Sequence, residues 1–252
     1  MSKLIKLLSI TLLFIGILAG CSAAASSSGP NTDLWHHYLI YPMSLLIVHV
    51  AKAWIFQSFG FAIMIVTVGV RMLLMPLNVM QYKNQLNMKR LQPQLKELKK
   101  KYSSKHAEEQ KQYQVEMMKL MQENKANPMM GCLPLIVQLP VFSAVYYAIR
   151  QTKEISSASF LWLNLGHPDP YYVLPLLAAC MTYIQAKVVQ TNVPAEQMAQ
   201  VRMMQLMSPV MVLMFGFASP SGLVLYWLTG SIFMIAQYTV LKKLYRNETA
   251  SA

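Results

Sequence analysis

The chain has 252 residues and a formal net charge of +12, with 22 lysines and arginines against 10 acidic residues. Hydrophobic residues make up 55% of it and charged residues only 13%, which is about half the charged share of a soluble domain. This composition excludes a disordered tail and an ordinary cytosolic enzyme, and leaves nucleic-acid binding and a membrane protein as explanations of the charge. The three cysteines, Cys21, Cys132 and Cys180, lack metal-ligand spacing, so we expect no bound metal.

Residues 1–20 have the pattern of a secretory signal peptide. Lys3 and Lys6 precede an apolar stretch that ends in Leu-Ala-Gly directly before Cys21. This order resembles the lipobox of bacterial lipoproteins, in which the cysteine receives a diacylglyceryl group and becomes the new N-terminus. We therefore expect an acyl lipid such as palmitate on Cys21 and a flexible, extracellular tether over 21–34, which is rich in Ala, Ser, Gly and Pro. The alternative is an uncleaved N-terminal anchor.

Five apolar segments follow an amphipathic region. Residues 35–57 mix apolar side chains with three histidines and one lysine, which predicts a helix in the outer membrane interface. The later segments have the length and apolarity of transmembrane helices, although the fourth is short for about 30 Å of hydrocarbon. The five predicted spans are 58–80, 129–150, 171–189, 203–218 and 222–241.

The positive charges give these spans an orientation. Eleven lysines and arginines lie in 80–128, two flank the loop between the third and fourth spans, and three follow the fifth, against three in the opposite segments. The positive-inside rule then places the N-terminus outside and the tail, 242–252, in the cytoplasm. Residues 81–128 are rich in helix formers and predict a cytoplasmic helical hairpin. The predicted class is an all-α, polytopic protein of the bacterial plasma membrane, with no DNA partner.

Arg71 is the charged residue inside the first span. At a helix centre a charge costs roughly 2.5–3.5 kcal/mol on insertion scales. None of the ten acidic residues lies inside a predicted span, so the chain offers Arg71 no carboxylate in the membrane. Arg71 could snorkel to the headgroups near Val79, about 12 Å away along the helix, which is too far without strong bilayer thinning. We favour the other interpretation, in which it faces a water-filled recess.

Polar residues on other spans could line this recess. They are Gln138, Thr182, Gln185, Thr229, Ser231 and Gln237. Each alone is typical of a helix–helix hydrogen bond, but together with an unpaired arginine they predict a recess that attracts acidic groups. The 20 methionines suit a surface that accepts many apolar partners, and they equally suit contact with lipid.

Seven short motifs make the chain resemble the YidC/Oxa/Alb family of membrane protein insertases. The resemblance covers 35–246. The lipobox, and the lack of a large external domain before the spans, make the chain similar to the Gram-positive members. The motifs are Val68-Gly69-Val70-Arg71, Leu74-Met75-Pro76-Leu77, Asn127-Pro128-Met129, Gly131-Cys132-Leu133-Pro134, Gln138-Leu139-Pro140-Val141-Phe142, Pro220-Ser221-Gly222-Leu223 and Tyr226-Trp227.

The resemblance implies a hydrophilic groove, open to cytoplasm and lipid, in which Arg71 attracts acidic residues of a nascent membrane protein. Gln138, Gln185 and Trp227 would line the groove. The hairpin would receive the client early, and the basic tail would touch the ribosome, with the chain working alone or beside the Sec translocon. It further implies no catalysis, and no cofactor besides the lipid on Cys21.

The alternative function is a small-anion transporter or channel that uses Arg71. Such a protein predicts inverted repeats and paired broken helices, and neither is visible in the sequence. An intramembrane protease would need a Ser–His pair or two aspartates inside spans. The five histidines fall in interface or loop positions and no aspartate falls inside a span, so the sequence predicts an insertase.

Overall fold

The computed structural model describes residues 36–53, 57–102, 107–124, 126–127, 130, 133–190 and 198–246. The predicted signal peptide and tether, including Cys21, lie outside these residues, as do residues 247–252 of the tail. Within the described ranges the chain is helical apart from turns and one short β-hairpin, whose two strands have two residues each. This confirms the all-α class.

The helices follow the order of the predicted segments. A π-helical turn, His36–Ile40, leads into α1, Tyr41–Ala53. The predicted first span becomes two helices, α2, Phe59–Leu73, and α3, Met75–Arg90. The remaining helices are α4, Gln92–Lys101, α5, Ala107–Glu123, α6, Leu133–Gln151, α7, Lys153–Ser156, α8, Val173–Val189, α9, Met198–Ala218, and α10, Ser221–Leu244.

Length and composition identify candidate membrane spans among the described helices. Both α9, over its last 18 residues, and α10 are long and apolar enough to cross a membrane, and α2 with α3 adds a third if the pair is one bent span. Helix α8 is apolar but has only 17 residues. The count of five spans therefore stays a prediction, while the multi-helix membrane architecture is confirmed.

A bend of 54° separates α2 from α3. Leu74 lies at the break, with φ −83° and ψ −2°, and Pro76 sits in the first turn of α3. Proline has no N–H, and its ring clashes with the carbonyl four residues earlier, so Pro76 weakens a continuous helix at this point and favours the bend. The apolar pattern predicts one span over 58–80. The structure instead ends α2 at Leu73, and the chain then turns toward the hairpin.

Helix α10 lies at the centre of the bundle and packs against α2, α6 and α8. Its first six residues are all buried. The close approach depends on Gly222, since a Cβ there would lie 3.1 Å from Ile149 Cδ1 and 3.3 Å from Ile63 Cδ1. Helix α9 packs on α8, and its large side chains, among them Met203, Met207 and Met214, are mostly exposed.

Residues 153–172 form a cap over one end of the bundle, which we call the loop end. The cap contains an antiparallel hairpin of β1, Ser159–Phe160, and β2, Leu163–Asn164. Phe160 lies directly against Gly60 of α2. At the start of α10, Ser221 Oγ donates to the carbonyl of His167 at 2.7 Å, and Gly222 N donates to that of Leu165 at 3.0 Å. The cap therefore joins the ends of α2 and α10.

Asp169 organises the cap from inside. Its carboxylate is 2% exposed and accepts hydrogen bonds from Trp162 Nε1 at 3.1 Å and from the backbone N–H groups of Tyr171 at 3.0 Å and Leu174 at 2.7 Å. The last two donors belong to the first turn of α8 and the residues before it, where a negative charge is favoured by the helix dipole. One side chain thus fixes the start of α8 to the cap.

Helices α4 and α5 form the hairpin, at the opposite end, which we call the hairpin end. Leu91, Leu95 and Met121 build a small apolar core between them. Near the tip, Tyr102 Oη donates to Glu116 Oε1 at 2.6 Å, and Lys101 Nζ lies 3.6 Å from Glu116 Oε2. The hydrogen bond from Tyr102, aided by the nearby lysine charge, lowers the pKa of the Glu116 carboxyl.

Replacing Asp169 with alanine is expected to loosen the loop end. The change leaves buried donors unpaired, which we expect to lower the free energy of unfolding by about 2–4 kcal/mol. Thermal unfolding of the detergent-solubilised protein measures the loss. Asp169→Asn, which keeps an acceptor oxygen, should lose less, and an unchanged midpoint for Asp169→Ala would show that the cap does not depend on this carboxylate.

Candidate functional site

Arg71 lies in the last turn of α2, just before the bend, with a half-buried side chain. Its guanidinium rests on the backbone of α10 at Gly230. A Cβ at position 230 would lie 2.9 Å from Arg71 Nη2 and 3.3 Å from Nε. Because any side chain at 230 would occupy this space, the glycine lets the charged group sit directly between α2 and α10.

The charge of Arg71 is not balanced by a carboxylate in the described part of the chain. No ion pair or carboxylate hydrogen bond forms at Arg71 there. The described acidic residues lie either on the hairpin or in residues 153–172. Among the described residues this guanidinium therefore has no acidic partner.

Tyr226 lies near Arg71 and is hydrogen-bonded to α6. Its side chain is 2% exposed, and its hydroxyl accepts a hydrogen bond from Gln138 Nε2 at 2.6 Å. The positive charge of Arg71 acts on the same hydroxyl. Since Tyr226 precedes Gly230 by one helical turn, both lie on the face of α10 that meets Arg71. Arg71, Tyr226, Gly230 and Gln138 together form what we call the Arg71 layer.

The other predicted groove residues surround this layer at different positions. Trp227 packs against Phe142 of α6, with ring centroids 5.2 Å apart, at the edge of the apolar core. Gln185 is half-buried on α8, one turn after Thr182. Thr182 Oγ1 lies 3.4 Å from Ser231 Oγ on α10, next to Gly230. The structure thus joins Gln138 to the Arg71 layer, and places Gln185 and Trp227 on neighbouring faces.

Several polar residues that the sequence assigns to a recess are instead paired locally. The hydroxyls of Thr182 and Thr229 donate to carbonyls one turn earlier in their own helices, at 2.7 and 2.8 Å, a common way to satisfy such groups in apolar surroundings. Gln237 accepts a hydrogen bond from Asn78 Nδ2 at 3.0 Å, closer to the hairpin end.

Sequence reasoning missed the roles of Tyr226 and Gly230. Tyr226 was named from the sequence only as part of the Tyr226-Trp227 motif, and Gly230 was not named. The signal that could have identified them is their spacing: Tyr226 and Gly230 are four residues apart, and therefore lie on one face of a span, in a chain with a single arginine inside another span. Chemically, the layer presents a planar guanidinium with forked N–H donors, which suits a carboxylate.

Comparisons with known proteins agree on one family. The sequence profile described as 60Kd inner membrane protein matches residues 50–248. Membrane protein insertase YidC 1 of Bacillus cereus is 51% identical over 245 residues, which cover 96% of this chain and 94% of that protein. Membrane protein insertase MisCA of Bacillus subtilis is 40% identical over 237 residues, or 94% and 90% of the two chains.

A solved structure also matches. It is a crystal structure of an active YidC insertase with the first transmembrane domain resolved, and it superposes on this chain with a TM-score of 0.60 at 31% sequence identity. The match covers 80% of this chain and 46% of the solved chain, so this chain spans about half the length of that protein.

Enlarging Gly230 is expected to push the guanidinium out of its place against α10. Gly230→Leu should overpack the contact at a cost of about 1–3 kcal/mol and raise the reactivity of Arg71 toward phenylglyoxal, measured by mass spectrometry. Gly69→Leu is the matched control, because nothing lies within 4 Å of a Cβ at that position. Equal Arg71 reactivity in the two variants would contradict the described contact.

Proposed function

The chain belongs to the YidC/Oxa/Alb family of membrane protein insertases, and on that premise we propose that it inserts nascent membrane-protein segments at a polar recess centred on Arg71. It is a multi-pass protein of the bacterial cell membrane. The observation that carries the proposed site is the guanidinium of Arg71, which has no carboxylate partner among the described residues, lies between α2 and α10 at Gly230, and is near the Tyr226–Gln138 hydrogen bond.

The proposed reaction is a transfer between solvents, with no covalent step. The polar outer end of a client enters the recess, and Arg71 holds its acidic groups where the low dielectric strengthens the attraction. The polar end then has a shorter apolar distance to cross. Burial of about twenty apolar residues of the client in hydrocarbon drives the transfer, and the membrane potential acts on its charged ends.

The neighbouring residues have distinct proposed roles. Gln138 and Tyr226 offer neutral hydrogen-bonding groups beside the guanidinium, and Gln185 extends the polar surface onto α8. Trp227 gives the client an amphipathic aromatic surface at the boundary between the polar layer and the apolar core. Support for these roles comes from the positions of the residues around Arg71.

The hairpin end is proposed to face the cytoplasm and receive the client first. Lysines of α4 and α5, including Lys96, Lys99, Lys100 and Lys111, are exposed there and suit the phosphates of ribosomal RNA or of anionic lipids. The ribosome and the Sec translocon are therefore proposed partners. Co-sedimentation with ribosomes at increasing salt concentration measures the first of these contacts.

Loss of charge at position 71 is expected to affect clients according to the charge of their tails. Arg71→Ala should reduce insertion of a client with an acidic outer tail about tenfold or more, because a charged hydrogen-bonded contact is lost. Arg71→Lys should retain much of the insertion, since the positive charge remains. Protease protection of a reporter client in proteoliposomes measures both.

The control is the same client with a neutral outer tail, whose insertion should change much less in Arg71→Ala. Normal insertion of the acidic-tailed client by Arg71→Ala would show that the charge does not act in insertion.

We also propose that Cys21 carries the lipid anchor, with support from the lipobox pattern alone. Cys21→Ala should abolish incorporation of labelled palmitate while leaving the helical core folded and able to insert clients, since Cys21 precedes the matched region 50–248. Metabolic labelling tests the loss of the lipid, and the insertion assay tests the retained activity of the core. An inactive variant at normal membrane levels would contradict the separation of anchor and core.

A further inference from the structure

A second polar layer lies next to the Arg71 layer, toward the hairpin end. Asn78 Nδ2 of α3 donates to Gln237 Oε1 of α10 at 3.0 Å, and the two side chains are 6% and 7% exposed. Asn78 follows Arg71 by seven residues, and Gln237 follows Gly230 by the same number. Two helical turns, about 10 Å along α10, therefore separate the two contacts. The contact of α2 and α3 with α10 continues across the bend.

Four buried polar atoms of α3, α10 and the residue that follows α8 have no hydrogen-bond partner among the described residues. Two are donors, Nε2 of Gln81 and of Gln237, and two are acceptors, Oε1 of Gln85 and of Gln190. Gln81 is itself only 4% exposed. Buried polar groups in folded proteins are nearly always paired, and an unpaired one is costly, so these four atoms leave hydrogen-bonding capacity for a group from outside the described residues.

The fold brings these amides to the same end of the bundle. Asn78, Gln81 and Gln85 share one face of α3, and the Gln85 side chain interacts with the hydroxyl of Tyr238, the neighbour of Gln237. Val188 and Val189, directly before Gln190, pack against the cluster that contains Tyr238. We call the set Asn78, Gln81, Gln85, Gln190 and Gln237 the amide layer.

The amide layer differs from the Arg71 layer in carrying no charge. A carboxylate would find no cation within it, and a cation would find no carboxylate. Unpaired donors and acceptors in equal number match a ligand that also offers both, and a peptide group has one N–H and one C=O. An extended main chain therefore fits the amide layer better than any charged side chain does.

We propose that the amide layer binds main-chain peptide groups of an extended client segment on its way from the hairpin to Arg71. Nε2 of Gln81 and Gln237 donate to client carbonyls, and Oε1 of Gln85 and Gln190 accept from client N–H groups. Peptide groups are common to every sequence, so this contact holds clients regardless of the charge of their tails. The inference rests on the proposed insertase function and deepens it.

The test uses Gln81→Met, alone and with Gln190→Met, in the full-length protein in proteoliposomes. Neither residue has a partner at the atoms named above among the described residues, so removal of the amides breaks no internal bond at those atoms. Insertion of neutral-tailed and acidic-tailed clients should fall equally, about fivefold or more in the double variant. The thermal midpoint should stay unchanged or rise, because buried unpaired amides are removed.

The matched control is Thr239→Val, also a polar-to-apolar change. Thr239 is bonded to the carbonyl of Ile235 in its own helix and is exposed, so this variant should insert both clients like the parent. A photo-crosslinking residue at position 81 provides a direct measurement, and it should form adducts with stalled clients of either tail charge.

Parent-like insertion by the double variant, or no adduct from position 81 with either client, would overturn the amide-layer proposal. A lowered thermal midpoint with parent-like insertion would also overturn it, since the amides would then be structural. Arg71→Ala in the same assay keeps the two proposals separate. If Arg71→Ala loses insertion of acidic-tailed clients only, the charge mechanism is supported, whatever the result for the amide variants. If Arg71→Ala inserts both clients normally while Gln81→Met is impaired, the charge mechanism is contradicted and the amide-layer proposal is not.

Discussion

A guanidinium placed between two apolar helices, with no carboxylate beside it among the described residues, constrains much of the surrounding structure. Its position requires Gly230 on α10, because a side chain there would collide with it. It also lies near the buried hydroxyl of Tyr226, which Gln138 holds from α6. Three helices thus place neutral groups around one charge. A protein interior normally pairs such a charge, and in the proposed function a carboxylate of the client supplies the partner that the described residues do not.

The two ends of the bundle are built differently. At the loop end, Asp169 and the first residues of α10 make hydrogen bonds to the cap and close the structure with satisfied groups. Toward the hairpin end, Gln81 and Gln190 keep buried amide atoms without partners in the described chain. A segment arriving from the hairpin end would therefore meet unsatisfied neutral groups first, the unpaired charge next, and a closed cap last. This order suits entry from one side only.

The sequence predicted the helical class and the membrane-spanning character of the chain, but it predicted one helix over 58–80 where the structure has two. The bend at Leu74 was not predictable from Pro76 alone, since Pro140 and Pro209 lie inside α6 and α9 without ending them. Gly230 and Tyr226 matter because of what faces them on other helices, which a linear pattern does not contain. Gln237 was assigned to the recess on composition, whereas its bond to Asn78 depends on α3 turning toward α10 after the bend.

The bend also has a mechanical consequence. Helix α3 has 16 residues and is therefore about 24 Å long, with the bend beside Arg71 at one end and the hairpin at the other. A change of about 10° in the angle of the bend would move the far end of the helix by about 4 Å, the rise of about three helical residues. Because Arg71 lies only three residues before Leu74, the same change of angle would correspond to less than about 1 Å beside the guanidinium.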